Sequence, residues 1–321
     1  MNASTKKAYL ISILLTAVFT LLTAGFYTYA LLYDFSPLLG HFGAGVFSGV
    51  FLPLLYILAA VVFFAFGFLF RASLTEYKLR VTLPSMFASG FAALALSLFL
   101  GSFALSFFAE KHAPLSTVFG ILVLVLGIAA AVYFVLSALP AAPASRVSLF
   151  GILAVLFCLV YVFYVYFDPT LALNSPIKIL DQITFILLML FFLTEGRMRF
   201  GAIRAGTYLP VAMTAALFTG AGSLGALVYA AVEGRPLYDS MMHDFFLFGA
   251  FLYVLARLVS LPLSPVAPER PVEAVESTTS FEADVSASFE SAAPDFAQEE
   301  FDFNRPEGKE EETSPETRKE E

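Results

Sequence analysis

Long apolar runs alternate with short polar breaks along nearly the whole chain. Eight runs approach or exceed the ~20 residues that a helix needs to cross a bilayer: Ala8–Tyr33, Gly43–Phe70, Ser85–Phe108, Ser116–Leu139, Val147–Phe167, Ile177–Thr194, Tyr208–Val232 and Met242–Leu261. Pro, Gly and charged residues gather between them, as in Asp34–His41, Arg71–Pro84 and Asp168–Pro176. Backbone groups in lipid have no water to bond, so such runs must close their own hydrogen bonds as helices. The expected fold is therefore an all-α, polytopic membrane bundle of about eight transmembrane helices. The first run has 26 residues without a charge, too long for a signal-peptide core of about 7–15, and reads as a retained span.

The basic residues give the spans a direction. With the N-terminus inside, the inner segments hold Lys6, Lys7, Arg71, Lys78, Arg80, Arg146, Arg197, Arg199, Arg204, Arg257 and Arg270, against Lys111, Lys178 and Arg235 outside. This bias predicts a cell-membrane protein with both termini cytoplasmic.

Similar segments recur. Leu74-Thr75-Glu76-Tyr77-Lys78-Leu79-Arg80 shares the pattern L-T-E-x-[KR]-x-R with Leu193-Thr194-Glu195-Gly196-Arg197-Met198-Arg199. Leu83-Pro84 and Leu209-Pro210 follow them, each expected to open the next helix. The pattern predicts a parallel repeat of four plus four helices, with a first unit at 1–140 and a second at 141–264. The two L-T-E segments read as cytoplasmic anchors, a role that leaves their acids unexplained.

Composition changes sharply at Pro265. The 57 residues from there to Glu321 hold seventeen acidic and five basic side chains and lack apolar periodicity. The rest of the chain is net positive, so the overall charge of −8 comes from the tail. Residues 265–321 are expected to be a disordered acidic cytoplasmic tail of about 40 Å end-to-end distance. Phe281, Phe289, Phe296, Phe301 and Phe303 sit beside acids within it and are candidate anchors for a cytosolic partner protein.

Candidate sites in the membrane part are few. The third span carries Ser85, Ser89, Ala93, Ser97 and Gly101 at every fourth position, and the seventh carries Ala212, Ala216 and Gly220. Small residues let helix backbones approach closely in lipid, so these two spans are expected to pack on each other at the bundle centre. The first span has a polar stripe of Ser12, Thr16, Thr20, Thr23 and Tyr27, read as bonding its own backbone or a neighbour. Asp181, Gln182, His243, Asp244 and Arg257 lie near span ends, where hydration at the interface is the leading reading. The alternative is a polar vestibule built from Asp181, Gln182, His243 and Asp244.

No metal spacing, nucleotide loop or hydrolase motif occurs, and the single Cys158 excludes an internal disulfide. The sequence implies no cofactor, no nucleic-acid surface and no converging catalytic set; the expected partners are the lipid bilayer and a cytosolic protein at the tail. A non-enzymatic platform or sensor that recruits a partner through its tail is weakly favoured. The alternative is a permease or lipid-handling transporter.

Overall fold

A computed structural model describes residues 3–36, 41–43, 47–70, 81–109, 114–167, 175–200, 205–237 and 240–263. Eight helices follow in chain order: α1 Ala3–Tyr33, α2 Leu52–Leu69, α3 Leu83–Ala109, α4 Pro114–Ala138, α5 Ala144–Phe167, α6 Pro176–Arg199, α7 Ala205–Glu233 and α8 Met241–Leu263. Each is long and apolar enough to cross a membrane. The chain is a multi-pass α-helical membrane protein. The Phe-bearing tail and the first L-T-E segment, at 74–80, lie outside the described residues.

Local chemistry explains several helix ends. Pro occupies the first positions of α2 and α6, where its missing N–H would be unpaired anyway. A π-helical turn, Phe47–Phe51, leads into α2, and between α1 and that turn a two-residue hairpin pairs Phe35 with Phe42. Helix α1 begins five residues before the expected Ala8 and α2 only at Leu52 rather than Gly43, and two further boundary differences bear on the site. Helix α6 continues five residues past Thr194, so the second L-T-E segment is helical and Glu195 lies inside the span. Helix α7 starts at Ala205, leaving Pro210 within it, five residues after the start. Gly67 of α2 faces that proline: a Cβ there would come within 2.9 Å of the Pro210 ring.

The helices pack as a closed ring, α3–α4–α5–α6–α7–α8, with α8 returning to α3. Helices α1 and α2 lie against α7 from outside the ring. Helix α7 is therefore covered on both sides, and 72% of its apolar window is buried against 33% for α1. Cross-ring contacts show α4, α6 and α8 running in the same direction. The C-terminal halves of α4, α6 and α8 meet at one end through Tyr133, Glu195 and Arg257. At the other end, the beginnings of α6 and α8 meet the end of α1 through Asp181, His243 and Tyr27. The start of α1 and the end of α8 thus share a side.

Aromatic side chains fill the ring interior. Phe157 of α5 and Phe185 of α6 both reach Phe246 of α8, with centroids 6.2 Å apart. Nearer the Glu195 end, Phe134 of α4 meets Tyr253 of α8 at 5.0 Å, edge to face. Such contacts favour edge-on or offset geometry and add to the packing that holds helices together without a hydrophobic driving force.

The small-residue ladders do not join α3 to α7. Among the described residues these helices share no substantial interface, and α8 packs on both. Ser85, Ser89 and Ala93 are buried, but Ser97 and Gly101 are exposed. Helix geometry supplies the reason. A strict four-residue spacing drifts by about 40° per step, because each residue turns about 100°. Five rungs therefore wander to another face. The buried line on α3 instead runs Ser85, Ser89, Ala92, Leu96, Phe99, mixing steps of four and three. On α7, Ala212, Ala216 and Gly220 are all buried. A Cβ on Gly220 would approach Phe251 of α8 at 2.6 Å and Thr20 of α1 at 2.7 Å.

Packing gives the four-plus-four repeat no support. Helices α5 and α6 pack extensively, whereas α1 and α2, their expected counterparts, contact each other little. Residues up to Val266 form one compact unit rather than two.

Candidate functional site

Helices α6 and α8 each carry charge near both ends, at matching intervals. Asp181 and Glu195 are fourteen residues apart on α6, as are His243 and Arg257 on α8. Fourteen residues are two heptads, which return a side chain to nearly the same face about 21 Å along the axis. The two helix backbones are not neighbours, yet their charged side chains meet at each end across the ring.

At one end Glu195 is fully buried and is the hub. Its Oε1 accepts from Arg199 Nη2 at 2.7 Å, one turn on, and lies 3.0 Å from Arg257 Nε. Tyr133 donates its hydroxyl to Oε2 at 2.8 Å, and Tyr253 donates to the same carboxylate at 2.9 Å. Arg257, also fully buried, donates through Nε and Nη2 to the Tyr253 oxygen at 3.2 Å. Its guanidinium carbon stands 5.1 Å from the Tyr253 ring centroid. The set holds two cations and one anion. Among the described residues, Arg257 Nη1 and the Tyr208 hydroxyl have no hydrogen-bond partner.

At the other end His243 lies between two carboxylates. Its Nε2 is 3.3 Å from Asp181 Oδ1 and its Nδ1 is 3.5 Å from Asp244 Oδ1. All three are at most 5% exposed. The imidazole stacks on Tyr161 of α5, with centroids 5.9 Å apart. A cavity of about 20 Å³, lined in part by these three residues, Tyr27 and Thr184, has room for about one water molecule.

The structure thus brings together Asp181, His243 and Asp244 but not Gln182. One residue further round α6, about 100° away, Gln182 is half-buried and does not line the cavity. The expected hydration of Asp181, His243, Asp244 and Arg257 at the interface is also corrected. All are enclosed by protein, Asp181 on α6 and the other three on α8, and none is more than 5% exposed. The polar stripe of α1 is buried as well: Ser12 donates to Tyr9 O and Thr16 to Ser12 O, both at 2.7 Å. The Thr20 and Thr23 hydroxyls have no hydrogen-bond partner among the described residues.

Sequence reasoning missed the Glu195 cluster. Its signals were the acid that anchoring does not require and the shared fourteen-residue interval. Among the described residues no group of His, Cys, Asp and Glu is arranged to hold a metal ion. Comparison with protein-family models, curated proteins and solved structures finds no match.

Proposed function

We propose that the chain is a permease whose six-helix ring opens its aromatic interior alternately at the two ends. One observation carries this reading: two buried charged clusters at opposite ends of the same pair of helices, with an aromatic layer between them. Burying a charge costs several kcal/mol even when it is paired. Ionisable groups inside membrane bundles therefore mark solute or ion pathways more often than they serve packing. The arrangement suits a pair of latches: separating α6 from α8 at one end breaks that cluster while the other stays closed. The reading does not need two four-helix halves, since the hinge lies within one ring. By the positive-inside bias, the Glu195 end faces the cytoplasm.

Leu188 and Ala250 stand midway between the clusters on α6 and α8, and both are buried. In a Cys158→Ala background, Leu188→Cys and Ala250→Cys should react with a membrane-impermeant maleimide applied from either side, in whole cells and in inverted vesicles. A rigid assembly would leave both thiols unlabelled from both sides, and the permease reading would fall.

A second reading rests on the tail. Spaced Phe residues in an acidic segment favour a platform that captures a cytosolic protein through Phe281, Phe289, Phe296, Phe301 and Phe303. The two readings are compatible in one chain, and neither calls for catalysis.

A further inference from the structure

We propose that Asp181, His243 and Asp244 form a proton-binding site in which His243 is held as imidazolium between two carboxylates. The argument is geometric. A neutral imidazole has one N–H and one lone pair, whereas imidazolium has two N–H groups. Both ring nitrogens of His243 lie within ion-pair distance of a carboxylate oxygen, at 3.3 and 3.5 Å. With a neutral ring, one of those contacts would set a lone pair against an anionic oxygen inside a buried site. With imidazolium, both are attractive.

Charge points the same way. Without the proton the cluster places two negative charges among aromatic rings; with it, one remains. That remaining charge has an outlet. Asp244 Oδ2 is buried, has no hydrogen-bond partner among the described residues, and belongs to a residue lining the water-sized cavity. A water there could carry the proton in: hydronium gives a proton to the imidazole lone pair and leaves as water, with no other bond changed.

Side chains from five other stretches of helix surround the site. From α1 the Tyr27 side chain lines the cavity, and from α5 the Tyr161 ring stacks on the imidazole. Helix α3 contributes the Phe99 ring, and α7 contributes Gly222 and Ala226, none of which titrates. On α6, Lys178 is buried one turn before Asp181. The site rests on the permease reading only for its role, which is to couple ring opening to proton binding: losing the proton sets two carboxylates against each other and loosens α6 from α8.

The test uses the full-length chain in lipid nanodiscs, with His41→Gln and His112→Gln leaving His243 as the sole histidine, ring-labelled with ¹⁵N. At pH 7.5, where an imidazole in water is mostly neutral, the spectrum should show both nitrogens protonated. Asp181→Asn should convert the ring to a neutral tautomer, and Asp181→Glu should restore the imidazolium signal. A neutral ring in the otherwise unaltered site overturns the proposal, as does an Asp181→Asn variant that keeps the signal. Conversion to the neutral ring on exchanging potassium for sodium would show a sodium site and overturn it too. If the imidazolium signal is found but thiols at 188 and 250 never label, the permease reading falls while the proton site stands.

Discussion

Replacing Glu195 by Gln keeps the side chain's size and removes its charge, which isolates the electrostatics of the Glu195 cluster. In the native arrangement one carboxylate faces two guanidinium groups, at 2.7 and 3.0 Å, and accepts from two tyrosines. Glu195→Gln leaves Arg199 and Arg257 buried near each other with no counter-charge. Removing one partner of a buried ion pair costs about 3–5 kcal/mol. Arg257→Gln is different, because it leaves Glu195 paired with Arg199 and still bonded to both tyrosines. Its cost should be about 1.5–3 kcal/mol, the range for a hydrogen bond to a charged group. The double variant removes one charge of each sign, so its cost should fall short of the sum by about 1–3 kcal/mol, as expected for residues in contact. Equilibrium unfolding by SDS in mixed micelles would measure all three. Costs that add without coupling, or a Glu195→Gln penalty no larger than that of Arg257→Gln, would refute the view of Glu195 as hub.

Gly220→Ala should destabilise the bundle by about 1–3 kcal/mol through overpacking against Phe251 and Thr20, while Gly101→Ala, with open space around it, should be tolerated in the same unfolding assay. On α3, Ser89→Leu should lower thermal stability in detergent but Ser97→Leu should not, and Phe99→Ala should cost about 3–5 kcal/mol, since Ser97 is exposed and Phe99 is buried against Tyr161 and Phe246. Deleting the chain from Pro268 onward should leave insertion and thermal stability of the helical unit unchanged while abolishing partner capture in pull-down assays; a large fall in stability would refute the separate status of the tail. Single cysteines in 168–174 should label only from outside the cell, and labelling at 71–80 from that side would refute the orientation.

The eight spans were legible because crossing lipid imposes a length and a composition that few other structures require. Their boundaries are harder to place where a charge lies within the helix. Glu195 reads as a loop residue by polarity, yet two arginines and two tyrosines enclose it and the helix runs on. Partner choice was less legible still. Small residues on α3 and α7 mark faces suited to close approach, but nothing in their spacing says which helix approaches; α8 and α1 do. The His243 cluster was partly visible, as a grouping of Asp181, His243 and Asp244 at matching span ends. Gln182 is equally polar in the sequence, but its angular position on α6 keeps it out of the cavity lining. Tyr133 and Tyr253 carried no signal, because a tyrosine in an apolar run does not announce whether its hydroxyl will find a carboxylate.

The contact between Thr20 and Gly220 has a consequence for how the protein is made. The two residues are 200 positions apart. At a synthesis rate of about 5–20 residues per second, roughly 10–40 s separate their emergence from the ribosome. Throughout that interval the threonine-bearing face of α1 has no α7 to cover it and must rest against lipid or against an insertion factor. Helix α7 is the least hydropathic of the eight spans, so it gains most from finding α1 already in place. Slowed translation between the two segments should therefore lengthen the time during which the nascent chain is open to membrane proteases.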